Sequence, residues 1–204
     1  METWEIAGHT LEYIDETHTY LVDGVIVPSI TQIMKIKFGN KYNGVSKEVL
    51  NEAARKGTQV HNAIENYCKT GEVEDLKEVK NFIFLQKQYK FKVTKNEVPI
   101  ILFKDDVPIA AGRFDLELEL NKELGGGDIK RTSTLDKDYL FYQLNIYRIG
   151  YRQCYGIEWE FLRALHLREN VRKFIPIPIN EHMAWELINE YLELEKEENY
   201  EEEK

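Results

Sequence analysis

An alternating segment of the chain constrains its fold more than any other feature. Apolar or small side chains occupy every second position from Ala110 to Leu120, and mostly charged side chains stand between them. Alternate residues of a β-strand point to the same face of a sheet. The pattern therefore predicts a strand over residues 107–120 with one apolar and one charged face. Asp115 lies on the charged face.

A second carboxylate follows a glycine-rich stretch. Asp128 and Lys130 are separated by one apolar residue, Ile129, so in a strand they share a face while Ile129 points into a core. Two carboxylates and a lysine on adjacent strands suit a divalent-metal site with a cation beside an attacking water, an arrangement fitted to phosphodiester hydrolysis. Residues 121–127 are predicted to be a loop whose glycines leave room for a metal or phosphate.

Two long helices flank these strands in the sequence. Ser46 is a suitable N-cap for a helix that runs to about residue 69, with a glycine at position 71 to end it. His61 and Glu65 are four residues apart and lie on one face of this helix. Gly57 is unfavourable inside a helix and predicts a close backbone approach or a break.

The second of these helices is predicted over residues 136–156. Tyr139, Gln143 and Tyr147 lie along one side of it. Two interpretations remain open: a core helix with polar residues at its rim, or a helix whose Gln143 and Tyr147 bind a phosphate or the nearby carboxylates. The position directly after the Asp-x-Lys strand favours the second interpretation.

Four motifs in this order resemble the core of the PD-(D/E)XK nucleases, and among them the RecB-like branch. The motifs are Gly57-Thr58-x-x-His61, Gly112-Arg113-Phe114-Asp115, Asp128-Ile129-Lys130 and Gln143-x-x-x-Tyr147, and the resemblance covers about residues 46–155. It implies an α/β fold with a restriction-endonuclease-like core, in which a mixed, largely antiparallel central sheet is flanked by helices.

The resemblance also implies the site. The expected ligands of one or two Mg²⁺ or Mn²⁺ ions are His61, Asp115, Asp128 and the carbonyl of Ile129. The catalytic set is Asp115, Asp128, Lys130, Gln143 and Tyr147, and a second layer or phosphate contact is expected from Glu65, Thr132 and Ser133. Family members often carry an acidic residue near the position of Glu97, but here we expect an exposed strand glutamate.

DNA, as linear duplex or single strand, is the expected partner. A single-strand annealing protein is a candidate recombination partner, and assembly into a homo-oligomer is left open. Related nucleases with an iron–sulfur cluster use four cysteines. The two cysteines of this chain, Cys68 and Cys154, exclude that cluster. The sequence has no P-loop motif, so an ATPase motor would be another chain.

The N-terminal part of the sequence predicts a hairpin followed by a short helix. Asp23-Gly24 stands between two apolar runs within residues 9–27, and Ser29 is a suitable N-cap for a helix over residues 30–35. The segment from His18 to Thr31 resembles the N-terminal part of phage-encoded nucleases of this superfamily. That resemblance implies an exonuclease acting at DNA ends in phage or prophage recombination or DNA processing. An ordinary hairpin that covers the core fits the residues equally.

Composition and charge narrow the choice of compartment and partner. A chain of 204 residues is expected to form a single domain over residues 1–204, with no transmembrane helix or membrane partner and no signal peptide. Two cysteines fit a reducing cytoplasm, that of the bacterial host if the gene is phage-encoded. The net charge of −9 opposes DNA binding, but residues 193–204, an acidic tail expected to fray, hold seven Glu and two Lys. We therefore expect a local basic groove.

The remaining predicted elements are a helix over residues 75–89, a strand over 91–103, a hairpin over 157–167 and 171–179, and a closing helix over 182–195. Pro99 assigns the first strand to an edge or a bulge. His166 is expected to have no chemical role. Three other functions stay open: a strand salt bridge without chemistry at Asp128 and Lys130, a non-catalytic nucleic-acid-binding relative, and a structure-specific or single-strand endonuclease.

Overall fold

The computed structural model describes residues 1–39 and 44–202, with side chains described through residue 197. Two sheets and five helices make up the described part of the chain. The elements are β1 (Glu2–Ile6), β2 (His9–Ile14), β3 (Thr19–Val22), β4 (Val25–Val27), α1 (Ile30–Phe38), α2 (Lys47–Thr70), α3 (Lys77–Tyr89), β5 (Lys92–Lys104), β6 (Val107–Leu120), β7 (Glu123–Lys130), α4 (Lys137–Tyr155), β8 (Phe161–Arg168), β9 (Val171–Ile177) and α5 (Glu181–Glu202).

The larger sheet has the order β5-β6-β7-β8-β9. Strands β7 and β8 run parallel, because α4 crosses between them, and every other neighbouring pair is antiparallel. One face packs against α1, α4 and α5, and the other against α2 and α3. The predicted α/β fold with a mixed, largely antiparallel sheet flanked by helices is confirmed.

The predicted caps of α2 are confirmed, and α4 is capped in a similar way. The Ser46 side chain accepts a hydrogen bond from the backbone of Val49 at the start of α2, and Gly71 ends that helix with φ 80°. Asp136 caps α4, and Gly156 ends it with φ 67°. The expectation for Gly57 is wrong: α2 continues through it, and a Cβ there would meet nothing within 4 Å.

The predicted glycine loop is wrong, because most of it belongs to β7. A Cβ on Gly126 would lie 2.3 Å from a ring carbon of Trp159, and one on Gly125 would lie 2.4 Å from the Phe161 carbonyl oxygen. The glycines are needed because aromatic side chains of the core lie directly against the strand. They leave no room for a metal or a phosphate.

The apolar face of β6 changes sides in mid-strand. Phe114 packs in the cluster with α4, whereas Leu116 and Leu118 pack in the cluster with α2 and α3. The predicted single apolar face is therefore wrong. The edge strand β5 is irregular at the same level. Glu97 lies between Asn96 and Val98, which pair with Leu116 and Phe114 of β6, and its φ of 48° is left-handed. This conformation disturbs the regular alternation of side chains along β5.

The N-terminal hairpin is confirmed and belongs to a four-stranded antiparallel sheet, β1-β2-β3-β4. Asp23 and Gly24 form its turn with φ 51° and 77°. Strand β1 was not predicted. Helix α1 begins after Ser29 in a capping box with Gln32 and continues to Phe38, three residues beyond the predicted end. The small sheet joins the large one where Ala111 N donates to Pro28 O at 2.9 Å.

The C-terminal elements follow the prediction with a longer closing helix. The hairpin β8–β9 pairs antiparallel, and α5 extends to Glu202. The last two residues of the acidic tail lie outside the described residues. The sequence also predicts a loop over residues 38–45, of which residues 40–43 lie outside the described residues. No described helix combines the length and the apolar character that a membrane span requires. The single-domain organisation stays a prediction.

Candidate metal centre

Three side chains from separate elements converge beside the large sheet. His61 of α2, Glu97 of β5 and Asp115 of β6 each offer one ligand atom, and these atoms all lie within 4.8 Å of one another. His61 Nδ1 lies 3.9 Å from Glu97 Oε1 and 3.7 Å from Asp115 Oδ2. These gaps are longer than hydrogen bonds. A divalent cation with ligand distances near 2 Å would fit between such atoms.

The imidazole of His61 is oriented by β7. Its Nε2 lies 3.0 Å from the Ile129 carbonyl oxygen, so the Nε2–H donates there and Nδ1 faces the carboxylates. Metal-bound histidines typically use their second nitrogen in this way. In this structure the Ile129 carbonyl, a predicted metal ligand, holds His61. Burial lowers the pKa of His61, but the charges of Asp115 and Glu97 outweigh it and raise the pKa to about 9.

The same residue of β7 also holds Asp115. The backbone N–H of Ile129 donates to Asp115 Oδ2 at 2.6 Å. One residue of β7 therefore fixes two predicted ligands through its N–H and its carbonyl. This arrangement depends on the strand pairing and not on the Ile129 side chain, which lies in the core.

The buried Asp128 and the partly exposed Lys130 form an ion pair next to this cluster. Lys130 Nζ donates to Asp128 Oδ1 at 2.7 Å and lies 2.6 Å from Oδ2, so both carboxylate oxygens contact the ammonium. Burial raises the pKa of Asp128. For Lys130, burial opposes the charged form, but the negative charge of Asp128 outweighs it and raises the pKa, so the ammonium is retained.

The three converging ligand atoms give a direct test of whether the residues fit a metal. His61 Nδ1 stands 3.7 Å from Asp115 Oδ2 and 3.9 Å from Glu97 Oε1, which is too far for hydrogen bonds and leaves room for a cation between them. Hard oxygen donors with one imidazole suit Mg²⁺ or Mn²⁺. Asp128, which is 3% exposed, holds the Lys130 ammonium with both carboxylate oxygens.

Gln143 and Tyr147 of α4 are both buried. Gln143 Oε1 is buried and has no hydrogen-bond partner among the described residues. Burial raises the pKa of Tyr147 well above its ordinary value, and the charges of Tyr20, Asp115 and Asp128 add to the effect. Tyr147 therefore keeps its proton and remains a hydrogen-bond donor close to both aspartates.

The three residues predicted for a second layer are not joined to the cluster by any hydrogen bond or ion pair in the described residues. Glu65 pairs with Lys69 at 2.5 Å. The Thr132 carbonyl lies 2.7 Å from His166 Nε2, and Ser133 is exposed in the loop before α4. His166, for which we expected no chemical role, thus anchors the chain directly after the Asp-x-Lys strand.

Glu97 is the site residue that sequence reasoning assigned to solvent. Its side chain is 26% exposed, and the Arg113 guanidinium holds it, with Nε 3.1 Å from Glu97 Oε2. A simple two-residue turn at Asp105-Asp106 would set Glu97 opposite Phe114. The register shift between Leu102 and Phe103 displaces the pairing by one residue, so Glu97 stands opposite Asp115. That bulge has no clear signal in the sequence.

The comparisons with known proteins do not indicate an activity. No family model matches the chain, and no curated protein matches its sequence. A solved structure described as "Crystal structure of SSO0001" is similar, with 15% sequence identity and a TM-score of 0.48 over 82% of this chain and 75% of the other. A similarity at this identity and TM-score says nothing about the activity of this chain.

Proposed function

We propose that this protein is a metal-dependent deoxyribonuclease of the PD-(D/E)XK type that degrades DNA from its ends. One observation carries the proposal: three potential metal ligands from separate elements converge without hydrogen bonds between His61 and the two carboxylates, beside an ion pair of Asp128 and Lys130. A structural salt bridge between Asp128 and Lys130 would need no such cluster.

The residues that would hold Mg²⁺ or Mn²⁺ are His61, Glu97, Asp115 and Asp128. When bound, the ion supplies a water of lowered pKa and stabilises charge on the phosphate oxygens. Glu97 takes the place that sequence reasoning gave to the Ile129 carbonyl, because that carbonyl already accepts from His61. The proposal covers one ion or two.

The protein's own side chains have distinct roles in this mechanism. Lys130 retains its ammonium and offsets the negative charge that develops on the phosphorus centre. Tyr147 keeps its proton and donates a hydrogen bond to a phosphate oxygen. Gln143 has an unpaired carbonyl oxygen and orients the attacking water. We assign no general base to the chain, because every described carboxylate of the centre would bind the cation.

The biological setting is the less direct part of the proposal. The resemblance of residues 18–31 to phage-encoded nucleases supports a role in phage or prophage recombination or DNA processing, with a single-strand annealing protein as partner. Two free cysteines, neither in a disulfide, are compatible with the cytoplasm. Restriction to ends would protect closed host DNA in the absence of a module that reads sequence.

The proposal is tested with three DNA substrates: linear duplex, linear single strand, and covalently closed duplex circles of the same sequence. Each is incubated with Mg²⁺, Mn²⁺ or EDTA, and the linear substrates are labelled at the 5′ or the 3′ end. We expect metal-dependent loss of linear DNA, no loss in EDTA, and survival of the circle. Cleavage in EDTA would refute the metal mechanism, and rapid loss of the circle would show an endonuclease.

Matched variants connect this activity to the site. Asp128→Asn keeps the size of the side chain and removes its charge, so we expect it to abolish metal-dependent cleavage. Asp75→Asn makes the same change in an exposed pair with Lys80 and should leave cleavage unchanged. Equal activity of the two variants would return Asp128 and Lys130 to a strand salt bridge.

A further inference from the structure

A pocket of about 420 Å³ lies between the small sheet and the start of α1. Its size is within the range of small-molecule sites. Residues of β2, β3 and the turn between them form one wall, and α1 with its N-cap forms the other. The residues used below are Tyr13, His18, Tyr20, Ser29, Thr31 and Lys35.

Aromatic rings make up the sheet side of the pocket. The rings of Tyr13 and Tyr20 are cross-strand neighbours with centroids 4.7 Å apart, and the ring of His18 lies 6.2 Å from that of Tyr13. The Tyr13 hydroxyl lies 2.7 Å from His18 Nδ1, which fixes the histidine ring although the residue is exposed. We call these three rings the aromatic platform; Tyr13 and Tyr20 are buried, and the exposed ring on which a planar group can stack is that of His18.

The polar groups of the pocket include a hydroxyl without a hydrogen-bond partner among the described residues. It belongs to Tyr20, which is 8% exposed as a residue and lines the pocket. Thr31 and Lys35 are exposed on the first turns of α1, and Lys35 makes no ion pair with any described residue. The pocket thus combines an aromatic platform, an unpaired hydroxyl and a free ammonium.

This pocket adjoins the metal centre through Arg113. The guanidinium carbon of Arg113 lies 5.2 Å from the centre of the Tyr13 ring, while its Nε lies 3.1 Å from Glu97 Oε2. Glu97 in turn faces His61 in the metal cluster. Two contacts therefore connect the aromatic platform to a proposed metal ligand, and a chain molecule bound at the centre would reach the pocket.

We propose that the pocket binds an unpaired nucleotide next to the scissile phosphate, with its base on the exposed His18 ring of the platform and its phosphate near Lys35 and Thr31. This inference rests on the proposed nuclease function and names the form of its substrate. A base within a duplex is covered on both faces, whereas an unpaired base offers a free face for stacking. The strand must therefore be single at this position, as it is at a frayed or resected end.

Binding is measured with the full chain and a fluorescent single-stranded oligonucleotide in EDTA at low ionic strength, so that no cleavage occurs. We expect Lys35→Glu and His18→Asn each to weaken binding by about tenfold. Asparagine suits the left-handed backbone at His18, whose φ is 52°. Lys87→Glu makes the same charge change at an exposed position of α3 and should bind like wild type.

Two further variations separate the base from the phosphate. Tyr20→Phe removes only the unpaired hydroxyl and should weaken binding while the circular dichroism spectrum stays unchanged. An oligonucleotide with one abasic position at the bound site should bind wild type about tenfold more weakly and should bind His18→Asn no more weakly than the intact oligonucleotide does. Wild-type affinity in Lys35→Glu, His18→Asn and Tyr20→Phe, all folded, would overturn the pocket proposal.

A small phosphodiester, bis(4-nitrophenyl) phosphate, distinguishes failure of the pocket from failure of the nuclease. With Mn²⁺, the pocket variants should hydrolyse it at the wild-type rate, because it does not extend into the pocket. DNA cleavage by wild type that is unaffected in the pocket variants refutes the pocket and leaves the nuclease standing. Pocket-dependent binding by a protein that cleaves neither DNA nor the small ester supports the pocket and refutes the nuclease.

Discussion

Two charged clusters contact the same helix, α4. Only one of them is saturated, which means that each of its charged groups contacts a group of opposite charge. Arg148 and Arg152 of α4 meet Glu158 and Glu181 between α4 and α5, and each arginine contacts both glutamates. Arg148 also donates to the Trp159 carbonyl at 2.8 Å. Every charge in this cluster has an opposite charge at contact distance, so it needs nothing further.

The metal centre has similar groups but a different geometry. His61 Nδ1 stands 3.7 Å from Asp115 Oδ2 and 3.9 Å from Glu97 Oε1, and Gln143 Oε1 has no hydrogen bond within the described residues. A cluster that only stabilised the fold would close these gaps, as the arginine cluster does. The comparison indicates that incomplete hydrogen bonding, and not burial of charge as such, distinguishes the proposed functional cluster.

The largest expected effect is on the saturated cluster. Arg148→Met leaves two glutamates without their buried partner and should lower the free energy of unfolding by about 3–5 kcal/mol, measured by urea denaturation. Arg152→Met is the matched control: its partners are the same, but its side chain is 39% exposed against 10% for Arg148, so the loss should be smaller. Equal losses in the two variants would contradict the importance of burial here.

Asp115→Asn should have the reverse effect of Arg148→Met: a large loss of cleavage rate with little change in stability. The amide oxygen retains an acceptor for the Ile129 N–H, so unfolding should change little, while the lost ligand charge should lower the cleavage rate by about 10²–10³-fold. The rate per folded molecule is measured on linear DNA with Mn²⁺, next to Arg148→Met. If Arg148→Met lost activity to the same degree per folded molecule, the two clusters would not be functionally distinct.

Gly126 lies between the clusters, on the strand that leads to Asp128. In Gly126→Ala the new methyl group would meet Trp159, whose carbonyl binds Arg148, so we expect a loss of about 1–3 kcal/mol in unfolding free energy. Gly57→Ala is the control with the opposite sign, because its site is open and helical, and it should stabilise by about 1 kcal/mol. Thermal unfolding of both variants decides between a packing role and a loop role for Gly126.

The smallest expected effect is the pH dependence of the metal-free protein. Glu97, Asp115 and Asp128 face His61, with Lys130 opposing them, and the folded pKa of about 9 exceeds the ordinary value of 6.5. The contribution of His61 to the free energy of unfolding is complete below pH 6.5 and is lost as the pH rises through 9. Because the side chain is a quarter exposed, we expect about 1 kcal/mol. In EDTA, His61→Asn should lack this loss between pH 7 and 10; an identical pH profile would contradict the account.

Local chemistry made much of the fold predictable from the sequence. Ser29 and Ser46 cap helices because their side chains reach backbone N–H groups three residues on, a relation that short segments define. Asp23-Gly24 defines its hairpin in the same way. The motif order brought His61, Asp115, Asp128 and Lys130 to one place, and the structure adds the contacts between them.

What the sequence did not predict depends on contacts between distant segments. The side change at Phe114 and the placement of Glu97 come from irregular pairing of β5 with β6, which no local pattern reveals. The sequence predicted a loop at Gly125 and Gly126 because the aromatic residues that pack against them, Phe161 and Trp159, lie more than thirty residues further along the chain. A glycine that makes room for a ligand and a glycine that makes room for an aromatic ring look the same in sequence.

The central claim is that the His61–Glu97–Asp115–Asp128 cluster is completed by a divalent cation, and unfolding with added Mn²⁺ tests it most directly. Wild type should gain about 2.7 kcal/mol of stability when Mn²⁺ reaches one hundred times its dissociation constant. Arg148→Met should gain as much from its lower starting point, and Asp115→Asn should gain far less. An unchanged stability of wild type across millimolar Mn²⁺ and Mg²⁺ would contradict the account.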